Sequence, residues 1–416
     1  MAIDYVPKIA QYYFYPTMEC SLSCNHCFID ERIRKSKMSM TVEQFKRVVD
    51  EFAKHFHESN VPIAEITIMG GEPTLLKPDF FEEVIPYVKE KFKAEGKFNY
   101  ITLMTNFLHL ASMEKTHQLF DFVSTSYEPN RWSELNNVNG IDKKYATWEK
   151  NMRYWIDSGR IVTLSLTTTD DVLSQGTELL DKFYDMGVRY FQINKAYPEG
   201  EYLKNLLPQE QFQAHQESRE SELMKPARKR RVIEIVDSKD LFADFEKESQ
   251  YFIDVTQWMM KKLNSGEFVN VDPLSGYAEG LKDNTEIEDV ACGSGKGFSA
   301  RGDGVVTGCA AEIGNMNAVS FGNIWEQDIE EITHSKVRAD FLNSQKRVRA
   351  SCIKCEFFHQ CKGGCILRSR LWDEKSGQEC HGNITYIKYV QENLAELHDV
   401  MSKANEMRQD WAEAQS

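Results

Sequence analysis

Six short runs rich in β-branched and aromatic residues recur through the first half of the chain, with amphipathic helical patterns between them. The runs cover residues 11–17, 64–69, 100–104, 122–126, 161–167 and 190–193. The helical patterns cover 42–56, 80–88, 145–156 and 179–184, and the first of them opens with a capping-box signal at Thr41 and Gln44. This alternation predicts an α/β fold with a parallel sheet, and six strands predict a partial (β/α)6 barrel of the TIM type.

The pattern changes after the sixth run. From Pro198 to Asp289 strand signals fade and the chain becomes polar, which predicts a solvated helical connector. The next segment is dense in glycine and cysteine, which predicts a small cysteine-rich domain with a core built around metal, and a helical pattern with a polar tail follows it. The predicted domains are therefore the barrel at 1–200, the connector at 201–289, the cysteine-rich domain at 290–382 and the C-terminal helix and tail at 383–416.

Composition excludes several classes of protein. The 416 residues are 41% apolar and 27% charged, which is the balance of a globular protein. A formal net charge of −14 would repel a phosphate backbone, so we expect no nucleic-acid partner. No apolar run approaches the roughly 20 residues of a membrane span, and the first residues lack a signal-peptide pattern. We therefore expect no membrane partner and a cytoplasmic location.

The ten cysteines fall into two groups. Disulfides are rare in a reducing cytosol, so clustered cysteines there indicate metal binding or catalysis. Cys20, Cys24 and Cys27 follow the first predicted strand, and their three thiolates would leave one position of a metal centre open. His26 is a candidate fourth ligand for zinc, but adjacent residues rarely both reach one tetrahedral metal. A [4Fe-4S] cluster tolerates an iron bound by a small molecule, so it is the favoured centre.

This C-x3-C-x-aromatic-C spacing resembles the motif of the radical S-adenosylmethionine superfamily, with His26 at the aromatic site. The resemblance implies a cluster held by the three cysteines and cofactor contacts from His26 and the adjacent Phe28. After the second predicted strand, Gly70-Gly71-Glu72-Pro73 matches the GGEP motif that holds the methionine amino group in that family. Two glycines let a backbone approach a ligand closely, and the carboxylate suits a positively charged amine.

Two weaker matches follow the third and fourth predicted strands. Thr105 and Asn106 resemble the family's TN pair, and Ser126 occupies the place of a ribose-contacting residue. Either feature alone is more often simple turn chemistry. Their shared position strengthens the resemblance, because barrel enzymes gather functional residues at the C-terminal ends of their strands.

The second group of cysteines resembles the SPASM domain, which carries two auxiliary [4Fe-4S] clusters. The resemblance implies an outer cluster held by Cys352, Cys355, Cys361 and Cys380, and an inner cluster held by Cys292, Cys309 and Cys365. Cys-x2-Cys pairs alone would fit a zinc ribbon equally well. Together with the barrel motif, the expected cofactors are three [4Fe-4S] clusters and S-adenosyl-L-methionine. The inner cluster lacks a fourth cysteine, so we expect either an open iron that binds a substrate thiolate, or a water or carboxylate ligand.

The resemblance also implies a reaction. The reduced barrel cluster gives an electron to the bound S-adenosylmethionine, and the resulting 5′-deoxyadenosyl radical removes a hydrogen atom from the substrate. The auxiliary clusters would then accept an electron or hold the substrate. SPASM relatives mostly act on peptides or proteins, so the leading hypothesis is maturation of a ribosomally made peptide through a thioether or carbon–carbon crosslink or another oxidation at an unactivated carbon. The expected partners are that substrate and a reductant such as flavodoxin or ferredoxin.

Leader recognition has two candidates. Only 19 residues precede Cys20, so we expect no N-terminal leader-binding domain. A separate recognition protein would serve instead, or else a basic cluster in the connector. That cluster comprises Lys225, Arg228, Lys229, Arg230 and Arg231. It is also typical of a solvated connector.

Two other functions stay open. An anaerobic sulfatase-type maturase, which oxidises Ser or Cys to formylglycine, fits the chain length, but Ala310 follows Cys309 where those maturases place an Asp used as base. An iron-sulfur electron-transfer protein would need neither the GGEP motif nor an open iron. The sequence identifies no catalytic acid or base. Glu128, Asp170 and Glu312 lie near predicted functional loops, where charged side chains are usually solvated.

Overall fold

The computed structural model describes residues 9–129, 138–225, 229, 233, 244–287, 295–345 and 349–415. They form two compact units. The first unit comprises Met1–Thr125, Pro198–Pro226 and Gly293–Lys346, and the second comprises Ser126–Tyr197, Ala227–Cys292 and Arg347–Ser416. In both units helices alternate with parallel strands, so the predicted α/β class is confirmed.

The strands of the described residues are β1 (Ile9–Thr17), β2 (Ile63–Gly70), β3 (Phe98–Met104), β4 (Phe122–Ser126), β5 (Thr163–Thr167), β6 (Tyr190–Asn194), β7 (Asn270–Asp272), β8 (Gly297–Arg301), β9 (Val305–Thr307) and β10 (Gly322–Asn323). The helices are α1 (Glu31–Lys35), α2 (Val42–Glu58), α3 (Pro78–Lys91), α4 (Leu110–Thr116), α5 (Val138–Asp157), α6 (Asp170–Gln175), α7 (Glu178–Asp185), α8 (Gly200–Leu206), α9 (Gln209–Leu223), α10 (Phe245–Asn264), α11 (Leu274–Lys282), α12 (Ala310–Ile313), α13 (Ile329–Thr333), α14 (Lys336–Gln345), α15 (Ala350–Ile353), α16 (Phe358–Cys361), α17 (Ile384–Glu392) and α18 (Leu394–Gln415). The six strands predicted from the sequence are confirmed as β1 to β6.

The first unit holds strands in the order β10-β9-β8-β1-β2-β3-β4. The neighbours from β1 to β4 pair in parallel, and β8 extends the sheet by pairing in parallel with the other side of β1. Strands β9 and β10 are antiparallel additions. The cysteine loop follows β1, so it starts from a strand that pairs with a neighbour on each edge, β2 on one and β8 on the other.

Helix α2 shows how the predicted elements form. Thr41 and Gln44 make the expected capping box at its start. Its apolar face packs on β1, where the rings of Phe14 and Phe45 lie 5.1 Å apart and those of Tyr12 and Phe52 lie 5.6 Å apart. Fully buried aromatic pairs of this kind contribute both apolar burial and a preferred ring geometry. The helix therefore fixes the strand that leads into the cysteine loop.

The second unit holds the parallel strands β5, β6 and β7. Helix α10 lies in the stretch that the sequence predicted to be solvated, yet it buries a row of residues that includes Tyr251, Phe252 and Val255. The burial arises because these apolar residues recur at helical spacing among charged ones. The predicted closing helix is present as α17 and α18, which meet at Asn393. In the described ranges no helix is both long and apolar enough to cross a membrane.

His55 of α2 makes a pH-dependent contribution to stability. Its Nδ1 shares a hydrogen bond of 2.7 Å with the Tyr12 hydroxyl, and its ring packs edge-on against Phe298. Burial, together with the nearby positive charges of Arg338 and Lys97, lowers the pKa of His55 from 6.5 to about 4. The unfolded chain therefore binds more protons than the folded chain between these two pKa values.

We expect the free energy of unfolding to fall as the pH drops below 6.5, by about 2 kcal/mol at about pH 5. The variant His55→Gln should lose this part of the pH dependence, because an amide can either donate to or accept from the Tyr12 hydroxyl but does not titrate. Urea unfolding at about pH 8 and about pH 5 measures the difference. His334→Gln, at an exposed histidine, is the control. Equal pH dependence in both variants would contradict the prediction.

Candidate active site

Cys20, Cys24 and Cys27 lie in the loop that links β1 to α1. The Cys27 N–H donates to the Cys24 carbonyl at 3.2 Å, which closes a tight turn between the last two cysteines. Arg34, which is 8% exposed, donates to the Leu22 carbonyl at 2.9 Å and so ties the middle of the loop to α1. The loop is therefore ordered by its own hydrogen bonds.

The thiols of this loop interact with one another. Loss of water raises the pKa of the half-buried Cys27 thiol to about 12, and the neighbouring Cys24 and Cys20 thiols add to the shift. The thiol therefore stays protonated at neutral pH until a metal displaces its proton. Within the described residues, no group of three or more His, Cys, Asp or Glu side chains converges on a single metal ion. Three mutually interacting thiols on one loop fit a [4Fe-4S] cluster, in which each cysteine binds a different iron.

Gly70 and Gly71 lie directly against the base of the cysteine loop. The Gly71 N–H donates to the Thr17 carbonyl at 3.0 Å, and the Glu72 N–H donates to the Glu19 carbonyl at 2.7 Å. A Cβ atom at Gly71 would lie 2.2 Å from the Glu19 carbonyl oxygen. Glycine is thus required here by the backbone of the cysteine loop itself, because a side chain would occupy the same space as that oxygen.

The Glu72 carboxylate is 0% exposed and binds groups of the protein. Its Oε1 accepts from the Thr105 hydroxyl at 2.7 Å, and its Oε2 accepts from the Asn106 N–H at 2.6 Å. Asn106 in turn donates to the Ser21 hydroxyl at 3.1 Å. Glu72 therefore connects the end of β3 to the cysteine loop. The assignments of Glu72 and Asn106 as cofactor-binding residues stay predictions.

The other predicted cofactor contacts lie in several settings. His26 and Phe28 are half-buried beside Cys27, and Phe28 packs against a buried apolar cluster around Tyr15. Pro73 is buried and begins a 3-10 turn. Ser126 ends β4 and belongs to the second unit. Their cofactor contacts also stay predictions.

Helix α8 supports the cysteine loop from a distant part of the sequence. Gly200 has a φ of +58°, and a Cβ atom there would lie 2.1 Å from the Phe28 carbonyl oxygen. The Tyr202 N–H donates to the Cys27 carbonyl at 2.9 Å. Sequence reasoning missed this contact, although Pro198 and Gly200 directly after the sixth strand indicate a turn.

A buried ion triad lies in the same unit. Arg219 of α9 donates from Nε to Glu199 at 2.9 Å and from Nη1 to Glu312 at 2.6 Å. Burial opposes the charge of Arg219, but the two carboxylates raise its pKa above the ordinary value. Asn315 donates to Glu199 at 2.8 Å, and the Val319 N–H donates to Glu312 at 2.6 Å. Glu312, a candidate base, is therefore fully engaged in structural contacts.

The other two candidate acids or bases also make polar contacts. Glu128 is 1% exposed and accepts from the Thr167 hydroxyl at 2.9 Å, at the end of β5. Asp170 accepts from Lys247 at 3.3 Å on the surface. Neither of these contacts assigns a catalytic role, so the acid and base of the reaction stay unassigned.

Four cysteines of the second unit form a second interacting group, which comprises Cys352, Cys355, Cys361 and Cys380. Burial raises the pKa of the Cys361 thiol to about 12, and the thiols of Cys380 and Cys352 add to the shift. Phe245 and Trp372 form an apolar wall against Cys352 and Cys380. These are the residues predicted for the outer cluster, and their thiols fit that role.

The predicted inner ligands are divided between the units. Cys309 precedes α12 in the first unit, and Cys365 lies in the second. Cys292 lies outside the described residues, so this ligand set stays a prediction.

The basic cluster of the predicted connector is described in part. Lys225 pairs with Glu222 at 2.5 Å, and Lys229 is exposed. The other members, Arg228, Arg230 and Arg231, lie outside the described residues.

Comparison with known proteins agrees with these features. A model of the radical SAM superfamily matches residues 14–217, and a model of the SPASM iron-sulfur cluster-binding domain matches residues 293–356. The cysteine-type anaerobic sulfatase-maturating enzyme of Clostridium perfringens (strain 13 / Type A) is 23% identical over 372 residues, which cover 83% of this chain and 85% of the relative.

Two solved structures are similar in fold. The structure of native anSMEcpe with bound AdoMet and the Kp18Cys peptide has a TM-score of 0.69 at 18% identity, covering 96% of this chain and 100% of that one. The structure of Streptococcus suis SuiB bound to precursor peptide SuiA has a TM-score of 0.56 at 15% identity, covering 86% and 72%.

These matches define the class of the protein as an iron-sulfur enzyme that binds S-adenosylmethionine. The chain belongs to the radical SAM superfamily and carries a SPASM domain, as the maturases do.

Proposed function

We propose that this enzyme matures a ribosomally made peptide or protein by forming a thioether or carbon–carbon crosslink, or by another oxidation at an unactivated carbon. The observation that carries the proposal is the environment of Cys309. Ala310 follows it without a carboxylate, and the Glu312 carboxylate is bound by Arg219 and the Val319 N–H. This arrangement offers no base at the position that formylglycine formation uses. Two relatives with bound peptides, anSMEcpe and SuiB, support a peptide substrate.

The chain supplies a site for the cofactors. Cys20, Cys24 and Cys27 would hold the cluster, and the adjoining glycine turn would receive the methionine end of the cofactor. When bound, the cluster and S-adenosylmethionine supply a 5′-deoxyadenosyl radical that takes one hydrogen atom from the substrate. A crosslink removes a second hydrogen as a proton and one electron, for which an auxiliary cluster is the expected acceptor.

The residues around the loop have a separate task. A 5′-deoxyadenosyl radical attacks any nearby group, so the site must hold its substrate in place and exclude water. The buried Glu72 links the ends of β2 and β3 to the loop, and α8 covers its Cys27 end. These contacts restrict the motion of the loop.

A second candidate function is formylglycine formation. The observation that favours it is the similarity to the sulfatase-maturating enzyme of Clostridium perfringens over most of both chains. The absence of an acid at Ala310 argues against it. We therefore keep it as the alternative that the experiment must separate from crosslinking.

The remaining partners and cofactors complete the proposal. We propose three [4Fe-4S] clusters, with a non-cysteine ligand or an open iron in the inner one, and a flavodoxin or ferredoxin as reductant. A separate recognition protein or the basic cluster would bind the leader of the substrate. The reducing cytoplasm is the expected compartment, because cysteines must stay reduced in order to bind the iron of a cluster.

The test uses the reconstituted enzyme with S-adenosylmethionine and dithionite under anaerobic conditions. One sample receives a peptide encoded beside its gene, and another receives a cysteine peptide of the sulfatase type. We expect the first peptide to lose two hydrogens, with formation of 5′-deoxyadenosine, and the second to stay unchanged. Mass spectrometry and an aldehyde-specific probe distinguish the products. An aldehyde on the cysteine peptide would replace our proposal with formylglycine formation.

A further inference from the structure

The triad of Arg219, Glu199 and Glu312 needs an explanation beyond stability. All three side chains are at most 4% exposed, and together they carry two negative charges and one positive charge. The desolvation of a buried ion pair often cancels its Coulomb attraction, so apolar residues of similar volume would serve the core as well. What a guanidinium adds is a rigid fork that holds two carboxylates in defined directions.

The contact between Arg219 and Glu199 connects Arg219 to the cysteine loop. Glu199 is the N-cap residue of α8, and its carboxylate binds Arg219 and Asn315 instead of capping the helix, so these two contacts anchor the residue at which α8 begins. The next residue, Gly200, packs its backbone against Phe28, and the Tyr202 N–H donates to the Cys27 carbonyl. A displacement of Glu199 would therefore move Gly200 and Tyr202, which contact Phe28 and Cys27 at the end of the loop.

The contact between Arg219 and Glu312 connects Arg219 to Cys309, the other predicted cluster ligand in this unit. Glu312 lies in α12, which begins directly after Cys309. The end of this helix also reaches the loop, because the Gly314 carbonyl accepts from the Asp30 N–H at 2.8 Å. At its start, the Ala310 carbonyl accepts from the Tyr15 hydroxyl at 2.7 Å.

We propose that Arg219 is a positioning residue that holds the Cys27 end of the cysteine loop and the segment beginning at Cys309 in one fixed arrangement. The inference rests on the proposed function only for the identity of the cluster ligands. In the described part of the chain Arg219 donates to Glu199, Glu312 and the Asn317 carbonyl, so its effect on the two cysteines passes through these partners.

The test separates the position of the carboxylates from the neutralisation of their charge. Arg219→Met removes the counter-charge of two buried carboxylates and should unfold at a lower temperature. The triple variant Arg219→Met, Glu199→Gln, Glu312→Gln carries no unpaired charge and should regain most of the melting temperature. We expect both variants to give a broadened electron paramagnetic resonance spectrum of the reduced loop cluster with added S-adenosylmethionine, and to cleave S-adenosylmethionine about tenfold more slowly or worse.

Two further variants serve as controls. Val88→Ala, in the buried face of α3, should lower the melting temperature without changing the spectrum. Arg219→Lys keeps the charge but loses the fork, so it should show the altered spectrum with a smaller loss of stability. A triple variant with both the wild-type melting temperature and the wild-type spectrum would overturn the proposal, since Arg219 would then only compensate charge. If the wild type fails to cleave S-adenosylmethionine, the proposed function fails, while the spectra still test Arg219.

Discussion

Replacing Cys20, Cys24 and Cys27 together with alanine is expected to abolish the cleavage of S-adenosylmethionine and to remove about four iron atoms per chain. These three are the only cysteines in the sequence before residue 292, so no other cysteine of that part of the chain can replace them. The wild type should bind about twelve iron atoms after anaerobic reconstitution with iron and sulfide. Iron analysis, Mössbauer spectra and chromatography of 5′-deoxyadenosine measure the effect.

The matched variant replaces Cys352 and Cys355 instead. It should also lose about four iron atoms, because these thiols belong to the interacting group of the second unit, but it should still cleave S-adenosylmethionine. Loss of iron is thereby separated from loss of the reactive cluster. A wild type with about four iron atoms plus zinc would show that the C-terminal cysteines bind zinc and that the count of three clusters is wrong.

Gly71→Ala is expected to have the second-largest effect. The added Cβ would lie 2.2 Å from the Glu19 carbonyl oxygen and 2.4 Å from that of Met18, so the two backbone segments must separate. The hydrogen bonds from Gly71 to Thr17 and from Glu72 to Glu19 would break. We expect a loss of about 2 to 4 kcal/mol in the free energy of unfolding and about hundredfold weaker binding of S-adenosylmethionine.

Urea unfolding and isothermal titration calorimetry measure these two quantities. The control is Gly295→Ala, whose Cβ would meet, among the described residues, the Leu342 side chain at 3.5 Å, an ordinary van der Waals contact. It should change stability by less than about 0.5 kcal/mol. Wild-type binding by Gly71→Ala would show that the turn has room for a side chain and that its position is not set by the cysteine loop.

The sequence predicts the parts of this fold that have a local signal. The six strands and helix α2 follow from periodicity and from the capping box at Thr41, because each pattern is complete within one element. Strand β8 was missed because its five residues contain Gly297 and Arg301, and their burial is imposed by pairing with β1. Tertiary pairing of this kind leaves no alternating pattern in the strand itself.

In the candidate site too, the features with a local sequence signal were predicted and those that depend on tertiary contacts were not. The spacing of Cys20, Cys24 and Cys27 and the glycine turn at 70–71 are local motifs, so sequence reasoning found them. It read Glu312 as a solvated loop residue, since its partner Arg219 lies 93 positions away along the chain. Long-range ion pairs have no signature in a single sequence, and only the fold brings their members together.

The residues that support the cysteine loop come later in the chain than the loop, and this order matters during synthesis. The ribosome makes the loop before it makes Gly200 and Gly314, which pack against Phe28 and Ile29. Until those later residues emerge, the loop lacks the contacts that define its folded shape. A pre-formed loop is therefore a product of the folded unit and not of the local sequence alone.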